Sequence, residues 1–106
     1  MLPEVTVEDV KAMRDRGDAV TVLDVREPWE LEIAHLDDVL AIPMGQVPDH
    51  LETLPRDHPL MVLCRSGMRS AKVVAWLSAQ GFDNAANIEG GILAWSARLD
   101  PSVPQY

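Results

Sequence analysis

A single cysteine stands in this chain of 106 residues, together with one phenylalanine, one tyrosine and only nine basic residues. Each scarcity excludes something. A lone thiol, Cys64, closes no internal disulfide, so the core has to hold by packing alone. No second cysteine exists to complete a thiolate cluster, and His35, His50 and His58 miss the i, i+4 spacing of helical zinc ligands. Neither a metal nor another cofactor is therefore expected. Nine Lys and Arg against 17 Asp and Glu leave a net charge of -8, which argues against nucleic acid as a partner, because a phosphate backbone needs a basic face. No apolar run approaches the roughly 20 residues of a membrane-spanning helix, and no membrane partner is expected. The opening MLPEVTVEDV has neither the basic n-region nor the long apolar stretch of a secretory signal, so a cytoplasmic location is the expectation.

What is present reads as one globular domain. Apolar residues make up 47% and charged residues 25% of a chain whose length suits a single core. The domain is expected to span 1–106, with an irregular tail from about residue 100, where Pro101 and Pro104 fall. Thr6 caps a predicted helix running to about Arg16, which Gly17 ends. The run AVTVLDV, 19–25, has the β-branched apolar character of a buried strand. Pro28 opens a short helix through Ile33, Val39 to Ile42 is a strand, and Pro48 opens a further helix to Leu54. LMVL at 60–63 is a central strand; 69–80 has helical spacing of apolar residues; 85–88 is a last strand, and Gly90-Gly91 leads into a helix over ILAWSARL. Strands alternating with helices predict an α/β fold, a mainly parallel central sheet flanked by helices on both faces.

The charge is unevenly spread. No acidic residue lies between Asp57 and Asp83, yet Arg65, Arg69, Lys72 and the only thiol do. Cys64 follows the 60–63 strand directly, at the carboxyl edge where open α/β sheets gather functional groups, and Asp24 reaches the same edge. Ser66 and Gly67 let the backbone curl so that successive N–H groups point inward as an anion nest. The start of the next helix adds partial positive charge there, and the three cations add more. All of this favours thiolate over a thiol that is ordinarily only a few per cent ionised at neutral pH. Had Cys64 stood alone, an inert buried filler would have been the better reading, since free cysteine is often buried.

Several segments, in order, resemble a single-domain rhodanese, a sulfurtransferase module. VLDVREPWE at 22–30 resembles the family's first signature, and Ala34-His35-Leu36 with Ala41-Ile42-Pro43 resembles its next two segments. Cys64-Arg65-Ser66-Gly67-Met68-Arg69-Ser70 is similar to its active-site loop, and Gly81-Phe82, NIEGGI at 87–92 and Trp95 to its closing signature. The resemblance implies that Cys64 takes the outer sulfur of a donor such as thiosulfate, carries it as a persulfide held by residues 65–70, and yields it to cyanide or a thiol. Its partners would be a small-molecule sulfur donor and acceptor, or a sulfur-relay protein. Asp24, Arg26 and His35 carry over as supporting residues that orient the loop, His35 as a structural hydrogen-bonding residue rather than a base. Ala34 replaces the family's usual glycine and Asp37-Asp38 its usual proline-glycine, so the turn after His35 is expected to differ.

Two rival readings bear on the same loop. Cysteine phosphatases and arsenate reductases place arginine after five intervening residues. Only four separate Cys64 from Arg69, and Ser70 occupies the arginine's place. A loop one residue tighter cradles a smaller group than phosphoryl. The other rival is a non-catalytic, regulatory or sulfur-carrier module; inactive modules typically lack the cysteine that this chain has. Trp29, Trp76 and Trp95 are expected in core or rim packing, with Met44 and Met68 as an apolar wall or as filler.

Overall fold

The computed structural model describes residues 2–106. Its elements run β1 (Glu4–Val5), α1 (Val7–Asp15), β2 (Thr21–Asp24), α2 (Pro28–Ile33), β3 (Leu40–Ala41), a 3-10 segment (Met44–Thr53), β4 (Leu60–Leu63), α3 (Met68–Ala79), β5 (Ala85–Ile88) and α4 (Gly91–Arg98). The five strands form one parallel sheet in the order β1-β5-β4-β2-β3. The expected α/β architecture is therefore what forms.

Two elements differ from expectation. The two-residue β1 pairs with the edge of β5, Glu4 beside Asn87, and is too short to leave a periodic signal. The turn of helix expected over 48–54 begins at Met44 instead, with Pro48 inside it and a break at His50. Proline is tolerated there because a 3-10 run asks less of each backbone N–H than a long α-helix does.

Because the strands are covered on both faces, alternate residues feed two separate cores. Leu23, Leu60, Val62, Cys64 and Ala85 pack with Val47, Val73, Val74 and Leu77 under α3 and the 3-10 segment. Val22, Met61, Leu63, Ala86 and Ile88 pack with Val7, Val10, Ile92 and Trp95 under α1 and α4. Thr6 caps α1 through a reciprocal pair with Asp9, each side chain accepting the other's backbone N–H. In the turn after His35, Asp38 adopts φ +56, which Asp tolerates better than most residues. Arg14 ties that turn down by donating to the carbonyls of Asp37 and Asp38.

Candidate active site

β4 ends at Leu63, and Cys64 follows it at the carboxyl edge of the sheet, 1% exposed. The chain then turns through Arg65 and Ser66 to Gly67, which at φ +103 precedes the first residue of α3. That left-handed residue turns the backbone inward, so the Gly67 N–H donates to Cys64 Sγ at 3.1 Å. Ser70, on the first turn of α3 and fully buried, presents Oγ to the same sulfur at 3.2 Å. The loop is backed by α4: Ile92 N–H donates to the Cys64 carbonyl at 2.9 Å and Leu93 N–H to the Arg65 carbonyl at 3.1 Å.

Burial pushes the Cys64 thiol up, but hydrogen bonds from the Ser70 hydroxyl and from the backbone N–H groups of Ser70, Gly67 and Ser66 outweigh it. The thiol is held below its ordinary value. The arginines expected to share in this work are both engaged with other partners, and of the two Arg69 still acts on the thiol through its charge. Arg65 is bound to the tail: its Nε donates to the Tyr106 carbonyl at 2.6 Å and its guanidinium lies 5.1 Å from the Tyr106 ring. Arg69 is held in a two-pronged pair with Glu30, at 2.6 and 2.8 Å. Lys72 is exposed on α3. Backbone dipoles and one hydroxyl therefore lead, with the charge of Arg69 acting beside them.

Asp24 and Arg26 are fully buried and pair with each other, Arg26 Nη2 donating to Asp24 Oδ2 at 2.8 Å. Arg26 also donates to the Ala34 carbonyl and to Tyr106 Oη, both at 2.9 Å. This ties the end of β2 to α2 and to the tail, without a hydrogen bond to the 64–70 loop. His35 does not join them. Its ring is exposed and, among the described residues, makes no side-chain hydrogen bond, which overturns its expected structural role. The Asp37-Asp38 turn that follows is held by Arg14 and not by the His35 ring.

Two residues that sequence reasoning left out complete the rim. Glu30 is buried, and Tyr106 in the tail donates its Oη proton to Glu30 Oε2 at 2.6 Å while accepting from Arg26. Trp29, 59% exposed, meets the Tyr106 ring edge-on with centroids 6.3 Å apart. Glu27, Trp29, Glu30, Arg65, Arg69 and Tyr106 line the resulting concavity. The tail read as merely irregular thus forms one wall of it. Glu30 carried a signal, as part of the resemblance at 22–30; Tyr106 carried none. On the other side of α3, Met44, Val47, Pro48, Lys72, Val73 and Trp76 line an apolar groove. Met68, the first residue of α3, is 73% exposed, and Trp95 is core.

The Glu30–Arg69 pair makes stability depend on acid. Hydrogen bonds from Arg69, opposed by burial and aided by Tyr106, lower the Glu30 carboxyl from 4.5 to about 2. A carboxyl depressed on folding contributes stability above its unfolded value and loses it as pH falls through the folded one. The urea midpoint is therefore expected to drop between pH 4.5 and about 2, and Arg69→Ala to flatten that part of the profile. An unchanged profile in the variant would show that the pair contributes nothing.

The profile of the Rhodanese-like domain matches residues 6–98. The chain belongs to that family. It is 43% identical over 93 residues to the Rhodanese-like/PpiC domain-containing protein 12, chloroplastic, of Arabidopsis thaliana, covering 84% of this chain but 31% of that protein. It is 34% identical over 100 residues to the putative sulfurtransferase YtwF of Bacillus subtilis, covering 94% and 96% of the two. A rhodanese-like domain protein from Staphylococcus aureus superimposes with a TM-score of 0.85 at 31% identity, over 99% of both chains. The rhodanese-like domain is therefore shared with proteins of very different length, and this chain spans under a third of the plant relative.

Proposed function

We propose that this protein is a sulfurtransferase that carries a sulfane sulfur on Cys64. The thiolate Sγ attacks the outer sulfur of a donor such as thiosulfate, an S–S bond forms, and the S–S bond of the donor breaks with its electron pair leaving on sulfite. A thiophilic acceptor, cyanide or a thiol, then attacks the terminal sulfur of the persulfide and Sγ leaves as thiolate. The cycle needs one thiol, and this chain has one. In cells the donor is a small sulfane-sulfur compound or the persulfide of a sulfur-relay protein, and the acceptor is a small thiophile or the thiol of such a protein.

The observation that carries the reading is the Cys64 environment: a buried sulfur accepting from Gly67 N–H and Ser70 Oγ, with its acidity raised by them. Such a cradle suits one extra sulfur. Ser70 stands where a phosphatase has its arginine, and it spends its hydroxyl on the sulfur side of the loop rather than on an oxyanion. The full-length putative sulfurtransferase among the relatives supports the same class of reaction.

Intact-mass measurement after incubation with thiosulfate tests it. The chain is expected to gain one sulfur, to lose it to cyanide, and to gain none as Cys64→Ala. A wild type that takes sulfur from no common donor would replace the enzyme reading with that of a binding module.

A further inference from the structure

Asn87 is buried on β5, on the sheet face that carries Cys64, and its amide is fixed by what surrounds it. Nδ2 donates to the Gly67 carbonyl at 3.2 Å and to Glu4 Oε2 at 3.3 Å. Oδ1 is thereby turned to Ser70, whose Oγ lies 2.5 Å away. The same Oγ lies 3.2 Å from Cys64 Sγ. A serine hydroxyl has one proton, and here two acceptors face it.

We propose that Asn87 is a positioning residue that competes with Cys64 Sγ for the Ser70 proton and so sets how readily the thiol ionises; this rests on Cys64 being the nucleophile. While Cys64 is a thiol, Ser70 donates to Asn87 Oδ1 and the S–H donates to Ser70 Oγ. Every group then has a partner. When the thiol gives its proton to solvent, Ser70 turns its O–H to the thiolate, exchanging one hydrogen bond for another. Asn87 Oδ1 is left buried without a donor, which opposes ionisation. Asn87 thus holds the thiol midpoint above where the loop alone would place it, and a less acidic thiol gives a more nucleophilic thiolate.

The charged groups around the pair are already engaged or exposed. Glu4 of β1 accepts from Nδ2, Arg69 of α3 is bound to Glu30 of α2, Asp24 of β2 to Arg26, and Arg65 to the tail. Lys72 and Glu89 are exposed. None of them hydrogen-bonds Ser70 Oγ, so the contest is between Asn87 and Cys64.

A double-mutant cycle read by the ultraviolet thiolate band tests this, with Cys64→Ala as the blank; a single cysteine makes the band unambiguous. Asn87→Ala is expected to lower the thiol midpoint by about one pH unit, roughly a tenfold gain in the ionised ratio. Ser70→Ala is expected to raise it, and the double variant to match Ser70→Ala. Should Asn87→Ala lose its fold by circular dichroism, Asn87→Leu, of similar shape, carries the same expectation. A midpoint that stays or rises in the Asn87 variant, or that falls equally in both backgrounds, overturns the proposal. No sulfur moves in this titration, so failure of sulfur loading would defeat the sulfurtransferase reading and leave the cycle's result intact.

Discussion

Gly91→Ala is expected to destabilise the protein by roughly 2–5 kcal/mol and to abolish sulfur loading with it. Gly91 opens α4 at φ +59, and a Cβ there would meet the carbonyl oxygens of Cys64 and Arg65, each at 2.5 Å. The left-handed conformation alone costs a residue with Cβ about 1–2 kcal/mol. Pushing packed atoms aside adds about 1–3 kcal/mol. The atoms in the way are backbone, so no side chain can swing clear. They are also the carbonyls that accept from Ile92 and Leu93, so the displacement falls on the residue that carries the thiol. Urea unfolding and intact-mass loading, run side by side, measure the two effects. Gly45→Ala is the control: a Cβ at Gly45 meets nothing within 4 Å, and both readings should stay near wild type. A Gly91→Ala chain that folds and loads normally would mean that α4 can slide away from the loop.

The second large effect belongs to the buried ion pair. Arg26→Met is expected to lose about 3–5 kcal/mol, because it leaves the Asp24 carboxylate uncompensated in a dry interior. Asp24 accepts from Arg26 Nε, Nη2 and backbone N–H, and both side chains are fully buried. Tyr106 and the Ala34 carbonyl would lose their donor as well. The pair itself need not be a net stabiliser, since burying two charges is costly. Combining Asp24→Leu with Arg26→Met is therefore expected to recover much of the loss, as read by urea midpoints. If the double variant is as unstable as the single ones added together, the pair is net stabilising and the desolvation argument fails here.

These two cases show where sequence reasoning reached and where it stopped. The order of elements was legible because 60–63 is a continuous apolar run, 85–88 is a short, mostly apolar one, and the helix that follows Cys64 is amphipathic with a Gly81 stop. The 3-10 segment was misplaced because Pro48 looks like a helix start and is in fact interior. Cys64 and its loop were legible because a strand, a glycine turn and a helix start lie within a few residues of each other. What the arginines pair with was not legible, because residue identity says nothing of direction; Glu30 lies 39 residues from Arg69 and Tyr106 lies 41 from Arg65. Pairing across such distances decides which charge reaches the sulfur.

LCRSGMRS thus determined by itself that a thiol would sit at a strand end inside a tight ring of N–H groups, because those are local consequences of chain geometry and residue size. Tertiary structure decided the rest. It brought Glu30 and Tyr106 to occupy the arginines, sent His35 to solvent, and laid Asn87 against Ser70. A local conformation follows from the residues that adopt it, whereas the acidity of a buried thiol depends on every group the fold places within a few ångströms of it.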